Sequence, residues 1–410
     1  MDSASSLENH MKKIFKSLFR KKRKNELWLK YISYLVHLWF GLLSSVVVFV
    51  LCISGCLYAF KTQIIEAYNY DKVFISPAGR AQTPGELQQK LSLEGKELVS
   101  VTIPESASRS WNISYKNENG AVSGSYYDPY RKLELGNGDQ SLNRFFEVVL
   151  DLHRNLLLGN VGRQISGISV LMFLVLMISG FFLWLPKKLK YLKQGLTIKF
   201  SASFKRLNHD LHNVLGFYTL IFLMFISVTG IYVTYPWVKN ALIVSLGGEP
   251  ISQINTANVT EENDAFADLM SDMLNRESEK NELKDEQIVS VQEIVDETNR
   301  HFPNPGTLSV EFPNDENPRF MVKKINTDNF LRALLPDELS FDKTGELKTK
   351  EIFLEKPLNK QFTSLAKPLH TGEIMGLPSI IFYFIITLIG AMLPVTGIII
   401  WWQRLKKLKV

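Results

Sequence analysis

The sequence predicts a membrane protein: a four-helix transmembrane bundle made from a duplicated two-span unit, carrying two α+β periplasmic domains. Three observations predict it. Four apolar blocks, at 35–60, 163–185, 213–235 and 378–402, are each long enough to cross a bilayer. The chain also repeats. An offset of 175 residues lays His37 on His212, Gly41 on Gly216 and Gly55 on Gly230. An offset of 217 lays His153 on His370, Gly159 on Gly376, Gly180 on Gly397 and Trp184 on Trp401. Neighbouring residues follow, with Ser54-Gly55 falling on Thr229-Gly230 and Ser179-Gly180 on Thr396-Gly397. Finally, basic residues crowd one end of every span, which gives each a direction.

Composition agrees with this division. Across 410 residues the hydrophobic share is 46% and the mean hydropathy is near zero, an average of apolar blocks and ordinary charged sequence. The net charge of +6 and pI near 9.0 do not point to nucleic acid, because the basic clusters hug the span ends. Cys52 and Cys56 are the only cysteines and both lie in the first span, so no disulfide framework is implied and they read as small packing residues.

Residues 1–30 form a basic tail with Lys12, Lys13, Lys16 and the run Arg20-Lys21-Lys22-Arg23-Lys24. A basic stretch before an apolar block resembles a signal peptide. Block 35–60, however, is too long for a signal core and lacks a small-residue cleavage site, so it reads as the first span with a cytoplasmic N-terminus. The connector 186–208 carries Lys187, Lys188, Lys190, Lys193, Lys199, Lys205 and Arg206 before its first acid would be met, and the tail 403–410 carries Arg404, Lys406, Lys407 and Lys409. Segments 61–160 and 236–370 mix both signs. All four spans then agree on one topology, with both termini cytoplasmic and both long segments outside. Trp184, Trp401 and Trp402 stand where an inner aromatic belt belongs.

The outer segments read as folded modules. The first has a helix over Gly85–Leu93, strands at 99–103 and 111–116, and a strand-turn-strand over 123–136 turning at Asp128-Pro129. The second repeats the plan with a helix over Gln287–Arg300, strands at 307–312 and 319–324, and a strand-turn-strand over 340–352 whose turn has Asp342 and Gly345. Residues 251–286, rich in Asn, Asp, Glu and Ser, read as a mobile connection.

Of seven histidines, His10 and His301 stand alone and read as surface residues, whereas five cluster at span ends, where ionisable groups are rare and usually functional. The topology sorts four of them into pairs. His37 and His212 both begin outward-running spans, and His153 and His370 both precede inward-running ones. Each side of the membrane thus holds two imidazoles, one from each repeat, which is what bis-histidine ligation of a haem b requires. Two sites imply two haem b groups, and the absence of C-x-x-C-H excludes covalent attachment.

Eighteen residues, five whole turns, separate His212 from Gly230, placing both on one face roughly 27 Å apart. Gly41, Gly55, Gly216 and Gly230 would let a macrocycle, or another helix, approach closely. His209 aligns with Tyr34 rather than with a histidine, so it reads as a neighbour of the site, in reach of a propionate. Twenty-seven residues separate His153 from Gly180, so a continuous helix would set them on opposite faces. Gly159 and Gly376-Leu377-Pro378 suggest that the helix restarts below each outer histidine. Arg154, Arg163 and Lys367 are cations near that level that suit either propionates or solvent. Zinc, with Asp210 or Glu373 completing the set, is the inorganic rival.

The strings DLHRNLLLGNVGRQISGISVLMFLVLMISGFFLWLPKK (151–188) and DLHNVLGFY (210–218) resemble the PepSY-associated transmembrane helix family, and YYDPYRKLELG and FDKTGELK stand where PepSY domains have their last strand-turn-strand. The resemblance runs from Trp28 to the C-terminus. It implies a multi-pass protein of the bacterial inner membrane with two PepSY-like periplasmic domains, similar to di-haem ferric-siderophore reductases. It also implies that His37, His212, His153 and His370 are the axial ligands. A ferric chelate such as a siderophore would be the substrate, with electrons from quinol or a separate cytoplasmic donor, since no strand-linked G-x-G-x-x-G is present. The rival implied by PepSY modules is a haem-free protein that binds or regulates a peptidase or senses an envelope ligand. A chelate transporter fits less well, because the spans are four and lack buried charges, an objection that a homodimer would weaken.

Overall fold

The structure, a computed structural model, describes residues 18–186, 188–249, 289–314, 317–329 and 331–407. The expected connection at 251–286 lies outside the described residues. Four helices are long and apolar enough to cross a membrane. The first, α1 (Trp28–Ala59), has 32 residues and so runs about 48 Å, well beyond a hydrocarbon core of about 30 Å. It starts before residue 35, where hydropathy alone put it, because Trp28, Lys30 and Tyr31 are interfacial residues that a helix end tolerates. Lys30 Nζ donates to the Leu185 carbonyl just past the second span, a cation placed at the carboxyl end of a helix.

The extramembrane layer follows. Helix α2 (Pro84–Leu93) begins with a capping box between Thr83 and Glu86 and a proline in its first turn. Strands β1 (Glu97–Ile103), β2 (Trp111–Lys116), β3 (Val122–Asp128) and β4 (Leu133–Gly136) come next. Helix α3 (Gln140–Asn155), capped by Asp139, then leads to the second span, α4 (Gly159–Trp184). The basic connector holds α5 (Phe204–Asp210), which passes through a single wider π-turn, Leu211–Leu215, into α6 (Gly216–Thr234). The third span therefore begins within the segment read as a loop up to 208, since Phe204 and Leu207 extend its apolar periodicity.

After the undescribed stretch come α7 (Val291–His301), β5 (Leu308–Glu311), β6 (Phe320–Asn326), β7 (Leu335–Phe341) and β8 (Leu347–Glu351). Helix α8 (Leu358–Thr371) precedes the fourth span, α9 (Leu377–Leu405). The eight strands form one antiparallel sheet in the order β4-β3-β2-β1-β5-β6-β7-β8. Each repeat supplies four strands, and the halves join where β1 pairs β5, with Val101 opposite Val310 and Ile103 opposite Leu308. Helices α2 and α7 contribute to a common core with the sheet, where Leu87, Leu91 and Ile294 are buried with Val101, Ile113, Val310 and Phe341. Burying that apolar set is what holds the layer together.

Two helices assigned to the outer segments pack on the bundle instead. Helix α3 packs on α1 and α4, and α8 on α6. Both are amphipathic: Phe146 and Val149 of α3 are buried while Arg144 and Glu147 are exposed, and on α8 Ala366 is buried while Lys367 is exposed. Between α3 and α4 the chain turns through Leu156, Leu157 and Gly159, all left-handed (φ 51°, 59° and 56°), and between α8 and α9 through Gly372 and Gly376 (φ 81° and 66°). These breaks stop the helix where the glycines and proline suggested. Midway down the bundle Val48, Cys52, Phe173, Leu176, Met177, Leu223 and Ile386 form an apolar core. Cys52 belongs to this core, and Cys56, one turn on, is likewise free and buried.

Candidate functional site: two facing histidine pairs

His37 lies in the third turn of α1 and His212 in the π-turn before α6; their ring centroids are 6.2 Å apart with planes at 89°. A π-turn inserts one residue into the helical ladder, a departure from regular geometry that frequently marks functional sites. His153 and His370 occupy the last turns of α3 and α8, with centroids 6.1 Å apart and planes at 51°. Each pair takes one ring from each repeat.

Every ring meets a Ser or Thr hydroxyl through Nδ1, and three of the four meet a backbone carbonyl as well. His37 Nδ1 lies 3.1 Å from both the Leu176 carbonyl and Ser179 Oγ. His153 Nδ1 lies 3.0 Å from the Leu51 carbonyl and 3.1 Å from Ser54 Oγ. His370 Nδ1 lies 3.0 Å from the Ile226 carbonyl and 3.1 Å from Thr229 Oγ1. His212 Nδ1 lies 2.9 Å from Thr396 Oγ1. A carbonyl only accepts, and each of these hydroxyls already donates its single proton to a carbonyl of its own helix. The proton must therefore sit on Nδ1 of all four rings, donated outward, which leaves Nε2 as a free lone pair. Among the described residues no hydrogen bond reaches any of the four Nε2 atoms.

The residue after each hydroxyl is glycine, for a steric reason. A Cβ on Gly180 would stand 3.0 Å from His37 Cε1, on Gly397 3.3 Å from His212 Cε1, on Gly55 3.2 Å from His153 Cε1 and on Gly230 3.0 Å from His370 Cε1. Each span thus carries one Ser/Thr-Gly socket that seats a histidine from another helix. Gly55 and Gly230, read in the sequence as points of close approach, are given their partners here: about 27 Å along the axis from His37 and His212, they seat the other pair. Gly180, Gly397 and the four hydroxyl residues went unassigned in the sequence, although the repeated dipeptide was the signal that could have found them.

Gly41 and Gly216 do belong with His37 and His212. All four line one cavity of about 380 Å³, together with Gly180, Gly397, Trp184 and Trp401. A Cβ on Gly41 or Gly216 would meet only Leu176 or Leu393, at 3.7 and 3.6 Å, so these two glycines widen the cavity without bringing two backbones together. The Trp184 ring stacks on Phe217, centroids 3.8 Å apart, and walls one side. His209 lines the mouth, where it accepts a hydrogen bond from Asn213 at 3.3 Å and is more than half exposed. Arg163 donates to the Thr234 carbonyl at 2.9 Å, closing the end of α6.

Two imidazoles facing across one metal, each bound at about 2.0–2.1 Å, have centroids roughly 6.3 Å apart. Both pairs match that span. Asp210 pairs instead with Arg206 at 2.7 Å, and Glu373 accepts from Thr371 at 3.1 Å. Among the described residues no group of three or more His, Cys, Asp or Glu comes together. Each pair therefore brings two nitrogen donors and suits a metal whose remaining positions are filled by its own ligand. The PepSY-associated TM region family matches residues 34–404, and no curated protein matches the chain.

Proposed function

The chain belongs to the PepSY-associated TM region family, and from that premise we propose that it is a di-haem b electron carrier that reduces a ferric chelate, such as a siderophore. The observation that carries the reading is the pair of facing imidazole sets, each ring fixed in one tautomer with Nε2 free and with a centroid spacing of 6.2 or 6.1 Å. Haem supplies four equatorial nitrogens and a one-electron iron couple, so it needs from the protein what each pair offers. His37 and His212 would hold one haem and His153 and His370 the other, while Ser179, Thr396, Ser54 and Thr229 orient the ligands. The apolar core between the two levels keeps water and free ions out of the path.

The basic ends of the spans support a topology with the His37 side in the cytoplasm of a bacterial inner membrane and the sheet outside. On that topology electrons enter from quinol or a separate donor. They leave at the outer level, where the eight-stranded sheet offers the chelate its docking surface. One electron converts bound Fe(III) to Fe(II), which oxygen-rich chelators hold less tightly. The deciding measurement is the visible spectrum of detergent-purified protein, before and after dithionite, with His37→Ala and His370→Ala alongside. The expected outcome is a sharp reduced α-band, about half the haem lost in each variant, and reoxidation of the reduced protein by an Fe(III) chelate. A colourless protein after expression with ample haem refutes the proposal and favours a haem-free protein that binds a peptidase or an envelope ligand.

A further inference from the structure

The mouth of the His37–His212 cavity carries an unbalanced positive charge. Arg404, in the last turn of α9, and Tyr34, one turn before His37 on α1, both line the cavity. Two guanidinium groups sit over the Tyr34 ring, Arg20 at 4.3 Å and Arg404 at 5.0 Å from its centroid. Arg20 is neutralised by Glu26, Nη1 to Oε2 at 2.8 Å. Arg404 has no carboxylate partner among the described residues. The Tyr34 hydroxyl is shut off from solvent and has no hydrogen-bond partner among them. A buried hydroxyl left unpaired is destabilising, and the Arg404 charge stands there without a counter-ion among the described residues. An anionic oxygen at this mouth would satisfy the hydroxyl and the free guanidinium at once.

We propose that Arg404 and the Tyr34 hydroxyl form a carboxylate subsite that anchors a propionate of the haem held by His37 and His212. This rests on the haem reading above. It moves the propionate contact to a residue that sequence spacing did not single out, because Tyr34 and Arg404 lie 370 positions apart and meet only where α1 and α9 close the cavity. Arg404 keeps a fixed charge and two-pronged donation, and Tyr34, whose ring it overlies, adds a short neutral donor. The same anionic chemistry is available from a lipid phosphate at the interface, so the test must separate the two sources.

The experiment uses full-length His370→Ala protein, which on the haem reading should retain only the inner haem. Loaded with haem b or with haem dimethyl ester, it is mixed with apomyoglobin, and the rate of haem transfer is followed by absorbance. The parent should hold haem b about tenfold longer than the ester, Arg404→Gln should abolish that difference, and Tyr34→Phe should shrink it about threefold. Equal release of haem b and ester by the parent, or an Arg404→Gln effect that is the same for both, overturns the subsite and assigns Arg404 to lipid phosphate or to packing. Tyr34→Phe is nearly isosteric and carries the test if Arg404→Gln does not fold. A wild-type chain that takes up neither haem nor ester overturns the haem reading and the subsite together.

Discussion

Gly230→Ala separates the structural assignment of the sockets from the sequence-level one. The new Cβ would stand 3.0 Å from Cε1 and 3.6 Å from Nδ1 of His370, closer than ordinary contact, so the ring must give by a few tenths of an ångström. It is tethered by hydrogen bonds of 3.0 and 3.1 Å to Ile226 and Thr229, and a shift of that size weakens both. Overpacking costs about 1–3 kcal/mol, or roughly five- to 150-fold in retention of the metal group. Alanine in place of glycine favours a helix interior by about 0.5–1 kcal/mol, so failure of the helix is not the expected effect. The assay is a potentiometric titration that resolves two haem components, together with haem stoichiometry. Only the component lost in His370→Ala should shift or disappear. A change confined to the component lost in His212→Ala, or no change in either, would refute the socket assignment.

Three further outcomes follow from the same structure. Ser179→Ala removes one of the two acceptors on His37 Nδ1 and should speed loss of the inner haem about three- to tenfold while leaving the outer component in place, read by haem transfer. At the sheet turns, Gly345 has φ 88° with Val289 Cγ2 3.1 Å from its would-be Cβ, whereas Lys132 takes the left-handed position (φ 57°) in the other half. Gly345→Ala should therefore cost about 1–2 kcal/mol and Lys132→Gly gain about 0.5–1 kcal/mol, measured as opposite shifts in Tm. Burial alone would raise the Glu351 carboxyl, but the Lys356 ammonium 2.9 Å away, helped by Lys360 at 3.6 Å, outweighs it and holds the carboxyl below its usual range. The folded pKa is thus below the unfolded one, so the stabilisation is full above about pH 4.3 and is lost as pH falls through the lowered value. Lys356→Met should flatten that acid limb in Tm against pH; an unchanged slope would count against the pairing.

Much of the bundle was legible in residues 35–402. A run of twenty or more apolar residues has few alternatives to a membrane helix, and the repeat alone pairs His37 with His212 and His153 with His370. The breaks before Gly159 and Gly376 were readable too, since glycine and proline act locally. Helix ends were less so. Interfacial residues such as Trp28 and Lys30 suit either helix or loop, and the π-turn at His212 leaves no mark in hydropathy.

The sequence by itself determined how many spans there are and which imidazoles share a level, because these depend on apolar length and repetition. Tertiary structure alone decided which glycine seats which histidine. Helical period fixes an angle around the axis but not a partner, and Gly230 lies on the His212 face yet contacts His370. It also decided that β1 and β5 pair, so that two repeated modules become one sheet, since an open strand edge does not specify what completes it. The same holds for the Nδ1 proton of each ring and for the meeting of Tyr34 with Arg404. Contacts between residues a hundred or more positions apart are set by how the helices pack, and no local pattern encodes them.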